Sequence, residues 1–82
     1  MLTRTVVTFT LNEPIKLVCQ DRDNFIFGFT SPNEAKKVRD VLNKYGVDIV
    51  DSDVHEGNLA ISGIDDFVIE VIGTCQDLTI CF

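Results

Sequence analysis

The chain has 82 residues, 45% of them hydrophobic and 24% charged, with a formal net charge of −6. That length holds one domain with a modest core and is too short for two, and the composition is that of a globular chain, not a disordered one. No apolar run reaches the roughly 18–20 residues of a membrane-spanning helix, and Met1-Leu2-Thr3-Arg4-Thr5 has no apolar signal-peptide core. The expectation is a cytoplasmic protein with no membrane partner.

Residues 3–11 are rich in Thr and β-branched side chains and read as a strand, with Val7, Phe9 and Leu11 on one face. Asn12-Glu13-Pro14 is a turn, and Pro14 delays the next strand. Residues 15–20 form that strand, with Ile15, Leu17 and Cys19 on one face. After the polar turn Asp21-Arg22-Asp23-Asn24, Phe25, Phe27 and Phe29 recur at period two. Residues 3–30 thus read as a three-stranded antiparallel meander. Gly28, inside the Phe-rich strand, marks a bulge or a close backbone approach.

A helix over residues 32–45 follows. Ser31 is its expected N-cap, Pro32 its first residue and Glu34 the partner in a capping box. Ala35, Val38, Val41, Leu42 and Tyr45 share one side of a 3.6-residue period, and Gly46 is the left-handed stop. Lys36, Lys37, Arg39 and Lys44 lie on the polar side, with Lys36 and Asp40 spaced as an i,i+4 ion pair. No aromatic residue is interleaved with these cations for base stacking, so direct nucleic-acid binding is not expected.

Residues 47–54 read as a strand whose acids, Asp48, Asp51 and Asp53, suit a sheet edge. The turn His55-Glu56-Gly57-Asn58 leads into a shorter, more apolar strand over residues 58–62. Residues 64–72 fit two periods. As a helix, Ile64, Phe67, Val68, Val71 and Ile72 share a face, with Ser62 as N-cap, Asp65 and Asp66 at the positive end of the dipole and Gly73 as C-cap. As a strand, Phe67, Ile69 and Val71 alternate with Val68, Glu70 and Ile72. The end signals agree only for the helix, which is the expectation. A polar turn at Gln76-Asp77 then precedes a last strand over residues 78–82.

The expected order is β-β-β-α-β-β-α-β: a small single-domain α+β sandwich, with an antiparallel or mixed sheet of five to six strands and two helices on one face. Residues 25–82 alone read β-α-β-β-α-β, a ferredoxin-like variant. One conflict remains, because a hairpin at 21–24 claims the place beside the Phe-rich strand that the last strand would fill.

Charge is unevenly spread. Residues 1–45 hold all seven Lys and Arg against five acids, and residues 46–82 hold eight acids and no Lys or Arg. Phosphate contacts need cations, so the second half is unsuited to nucleic acid. It suits a basic protein surface, where complementary fields speed association.

Three cysteines, Cys19, Cys75 and Cys81, form no C-x-x-C pair and read as buried thiols, with a Cys75–Cys81 bridge as the alternative. His55 is the only histidine, and the spacings match no zinc module. The run Asp51-Ser52-Asp53-Val54-His55-Glu56 has alternating acids, but Glu56 and Ser62 stand where a calcium loop needs Gly and Glu. No phosphate loop, nucleophile elbow or H-E-x-x-H is present. No cofactor or catalytic residue is therefore assigned. In size, acidity and lack of catalytic motifs the chain resembles small inhibitors carried by phages and mobile elements, antitoxins and immunity proteins, a likeness of composition only.

The leading functional expectation is a non-enzymatic module that blocks a basic, nucleic-acid-binding surface of a partner protein. Asp48, Asp51, Asp53, Glu56, Asp65, Asp66 and Glu70 are its candidate contact residues, their carboxylates standing in for phosphates. The alternative is a small-ligand- or metal-binding regulatory domain acting as a homodimer through a sheet edge. A third reading makes His55 a general base beside a carboxylate.

Overall fold

Alternation at Phe25, Phe27 and Phe29 builds the centre of the molecule, since it aims three rings at one side of a strand. The structure is a computed structural model describing residues 4–73 and 75–82; the side chains of residues 51 and 52 lie outside that description. Its elements in chain order are β1 (Val6–Leu11), β2 (Ile15–Asp21), β3 (Asn24–Phe29), α1 (Pro32–Lys44), β4 (Asp48–Asp53), β5 (Asn58–Ser62), β6 (Asp66–Ile72) and β7 (Cys75–Cys81). They form two antiparallel sheets. Sheet A has the order β1-β7-β6 and sheet B the order β2-β3-β5-β4.

The α+β expectation with two helices is overturned: the described residues hold one helix and seven strands. Residues 64–72, expected as the second helix, are β6 from Asp66 onward, and all seven of its residues pair with β7. A helix of that length is marginal in water even with good ends. Val68, Ile69, Val71 and Ile72 also lose side-chain freedom in a helix and little in a strand. Packing adds to this, because Phe67 meets Phe25 and Phe27 edge-on, with centroids 5.2 and 5.3 Å apart. Each such pair contributes about 0.5–1.5 kcal/mol beyond area burial. Gly63 and Gly73, read as helix-end signals, have φ of +81° and +63° and turn the chain at either end of β6.

The strand order resolves the competition for the place beside β3. The hairpin takes it: β2 pairs with β3 on one side and β5 on the other. β7 goes to the other sheet. With it goes β1, so residues 3–30 are not a meander; β1 pairs with β7 from Val6↔Cys81 to Leu11↔Gln76. The ferredoxin-like arrangement is therefore absent, although β3 and β5 are central and acidic β4 is an edge, as expected. The last strand starts at Cys75, so Gln76 and Asp77 lie within a strand and not in a turn.

The core lies between the sheets, and α1 contacts β3, β4 and β5. Phe9 and Leu11 of β1, the three Phe of β3, Leu59 and Ile61 of β5, and Leu78 and Ile80 of β7 belong to one buried cluster with Ala35, Val38 and Leu42 of α1. Val41 is half-buried, and Tyr45 is exposed with its ring edge-on to Phe82. Ser31 is the N-cap by position, but its side chain caps nothing. The capping box does not close, because Glu34 Oε1 accepts from the backbone N–H of Asn12 at 2.9 Å. The C-terminus closes as a Schellman motif: Gly46, at φ +78°, donates to the Asn43 carbonyl and Val47 to the Leu42 carbonyl. Asp40 pairs with Arg39 at 2.9 Å in place of Lys36.

A register shift between Ile15 and Leu17 separates them onto opposite faces of β2, where simple alternation had placed them together. Gly28 sits opposite this bulge, and a Cβ there would come within 3.1 Å of the Leu17 Cβ. The cysteines are not buried: Cys19 is exposed, and Cys75 and Cys81 are half-buried free thiols. Cys75 and Cys81 end the same strand, six residues apart at about 3.3 Å each, far beyond disulfide reach.

Candidate functional site

The outer face of sheet A follows from its pleat. Phe9, Leu11, Leu78 and Ile80 are buried, so their alternates point the other way. These are Val6, Thr8 and Thr10 on β1, Cys75, Asp77, Thr79 and Cys81 on β7, and Asp66, Val68, Glu70 and Ile72 on β6. The Thr8 and Thr79 hydroxyls share a hydrogen bond at 3.0 Å, which puts them on one side. Across the strands, Asp66 lies in line with Cys81 and Val6, Val68 with Thr79 and Thr8, and Glu70 with Asp77 and Thr10.

Two features of this face stand out. First, the Glu70 and Asp77 carboxylates occupy directly opposed positions on neighbouring strands, an arrangement that opposes folding. Secondly, none of its outward positions holds a Lys or Arg. Arg4 lies at the rim just before β1, where its guanidinium bonds the Asp65 carboxylate at 3.0 Å. The Asp65 hydrogen bond, together with the nearby Cys81 and Asp66, raises the Arg4 pKa above its ordinary value.

The seven acidic candidates divide between two sides of the molecule. Asp66 and Glu70 lie on the outer face of sheet A, with Asp65 at its rim. Asp48 and Asp53 are exposed on β4, paired with Ser62 and Asn58 on the outer face of sheet B, and Glu56 is exposed in the turn after β4. Asp51 belongs to the same strand, its side chain being outside the described residues. The outer faces of two packed sheets point away from each other, so one flat partner surface cannot meet both groups. Asp77, assigned to a turn from the sequence, completes the sheet A group. The signal that finds it is its register opposite Glu70, which only the fold supplies.

His55 is exposed in the β4–β5 turn. Among the described residues, no three His, Cys, Asp or Glu side chains come together as metal ligands, and no polar or charged residue is fully buried. No described helix is long and apolar enough to cross a membrane. Of the other cations, Lys36, Lys37, Arg39 and Lys44 are carried on α1, Lys16 on β2 and Arg22 in the turn after it. Comparison with protein-family models, with curated proteins and with solved structures finds no match for this chain.

Proposed function

We propose that the protein is a non-catalytic binding module whose outer face of sheet A takes a basic surface of a partner protein, blocking what that surface otherwise binds. The observation carrying this reading is the Glu70–Asp77 opposition on a face whose outward strand positions hold no Lys or Arg. Like charges held opposite each other cost folding energy, and a partner's Lys or Arg placed between them removes that cost on binding. Fixed carboxylates on a flat sheet can occupy a surface shaped for phosphates, which makes a nucleic-acid-binding protein the favoured class of partner. The Thr8, Thr10 and Thr79 hydroxyls add short hydrogen-bonding groups without steric bulk.

The test is capture of partners from source-cell lysate on three immobilised proteins: wild type, the Asp66→Lys/Glu70→Lys/Asp77→Lys variant, and the Asp48→Lys/Asp53→Lys variant. The expected result is a stoichiometric basic partner, released by rising salt, retained by the β4 variant and lost by the sheet A variant. Equal capture by all three proteins would sink the reading.

A further inference from the structure

The four sheet edges are not alike. β2 carries Lys16 at a register shift, and β4 carries acids and a shift between Ile49 and Asp51. Lysines, other charges and bulges of this kind keep foreign strands from pairing. On the β1 side of sheet A contacts lie just past each end of the strand: Glu34 of α1 accepts from Asn12, and Tyr45, the C-cap of α1, packs on Phe82, which exchanges backbone hydrogen bonds with Thr5. β6 has no bulge, Lys or Pro: it pairs with β7 in unbroken register over seven residues, its only charges are the outward Asp66 and Glu70, and Val68, Val71 and Ile72 are 48%, 68% and 61% exposed.

Register also says which backbone groups face outward. Ile72 pairs with Cys75 across two intervening residues, and the closing pair of such a hairpin is hydrogen-bonded. Counting back by twos, Asp66, Val68 and Glu70 exchange bonds with β7, whereas Phe67, Ile69 and Val71 turn their N–H and C=O groups to the open edge. The Phe67 N–H agrees, since it donates to Asp66 Oδ1 at 2.8 Å instead of to β7. Ile69 and Val71 thus present the edge groups a further strand would bond.

We propose that this edge of β6 docks an extended, basic segment of the partner, which adds to sheet A as a fourth strand. The proposal rests on the binding reading above and supplies its mode. Side chains on β6 define the complement. Outward, Asp66, Val68, Glu70 and Ile72 alternate acid and apolar; inward, Phe67, Ile69 and Val71 are all apolar. The docking strand therefore carries Lys or Arg opposite Glu70 and Asp66, and small apolar or Thr side chains elsewhere. A second copy of this chain fits less well, because two molecules of net charge −6 repel and neither β6 offers a cation to the other's Glu70.

The experiment uses a fluorescent seven-residue peptide of this pattern, alternating Val and Thr with Lys at the two acid-facing positions. Anisotropy is followed at low and physiological salt. Wild type binds it, and a peptide with Glu in place of Lys does not. Val71→Pro removes an outward donor at an exposed position and should weaken binding about tenfold, the loss of one or two neutral hydrogen bonds. A peptide N-methylated on its edge-facing amides should lose as much on unaltered wild type, which covers the case of a Val71→Pro variant that folds poorly. Asp53→Lys should leave binding unchanged. Equal binding of the plain and N-methylated peptides would overturn strand addition while leaving the charge-based reading intact. Absence of peptide binding at low salt would overturn it as well. So would a concentration-dependent dimer abolished by Val71→Pro, since the occupant would then be a second copy.

Discussion

Glu70 of β6 and Asp77 of β7 stand directly opposite each other in the antiparallel register, on the outer face of sheet A. Two carboxylates so placed repel, and removing one should stabilise the fold. Glu70→Lys is expected to raise the free energy of unfolding by about 0.5 kcal/mol, read from the urea midpoint at unchanged m-value. Added salt should shrink that gain by screening the wild-type repulsion. The same variant should bind a basic partner less well, so stability and binding move in opposite directions. A less stable Glu70→Lys protein would contradict the repulsion on which the binding face is argued.

Phe67 tests the junction between the sheets. Its ring meets Phe25 and Phe27 of sheet B edge-on, so truncation opens a gap between the two layers. Phe67→Ala should cost about 3 kcal/mol, and Phe67→Leu clearly less, since it keeps most of the volume and loses the ring geometry. Thermal unfolding of the pair measures this difference. Equal and small losses would mean that β6 does not pack where the fold places it.

Two glycines with similar φ should respond very differently to alanine. Gly46 has φ +78° and nothing within 4 Å of a built Cβ, so Gly46→Ala meets only left-handed strain, about 1 kcal/mol. Gly57 has φ +84°, and its Cβ would sit 2.5 Å from the Phe29 carbonyl oxygen. Gly57 also accepts a 2.7 Å hydrogen bond from the Phe29 N–H, so the two backbones cannot easily separate. Gly57→Ala should cost at least about 2 kcal/mol more than Gly46→Ala, strain and clash together. Paired denaturant melts decide it.

The thiols offer a chemical check on the sheet assignment. Cys19 is exposed on the outer face of β2, while Cys75 and Cys81 are half-buried. In native protein a thiol reagent should modify Cys19 first. Mild oxidation should give a disulfide-linked dimer that Cys19→Ser abolishes, and no Cys75–Cys81 bridge. A bridge between the last two would require β7 to be broken.

Local sequence by itself determined the β3–α1 unit, the β2–β3 hairpin and the acidic edge at β4. In each of these the signal lies within a few residues: alternating rings, a helical apolar stripe closed by Gly46, a polar turn, charge on an exposed strand. Tertiary structure decided residues 64–72 and the partner of β1. The 64–72 stretch carries both periods, and β-branched side chains, pairing with β7 and the Phe67 contacts outweigh end signals worth roughly 1 kcal/mol each. The candidate site divides the same way. Asp66 and Glu70 are visible as acids in the chain, but their common face, their open sheet edge and the opposition of Asp77 exist only once β6 and β7 pair. Strand pairing is a non-local choice: side-chain alternation names the buried face of a strand and leaves its neighbour to be chosen by the packing of the whole core.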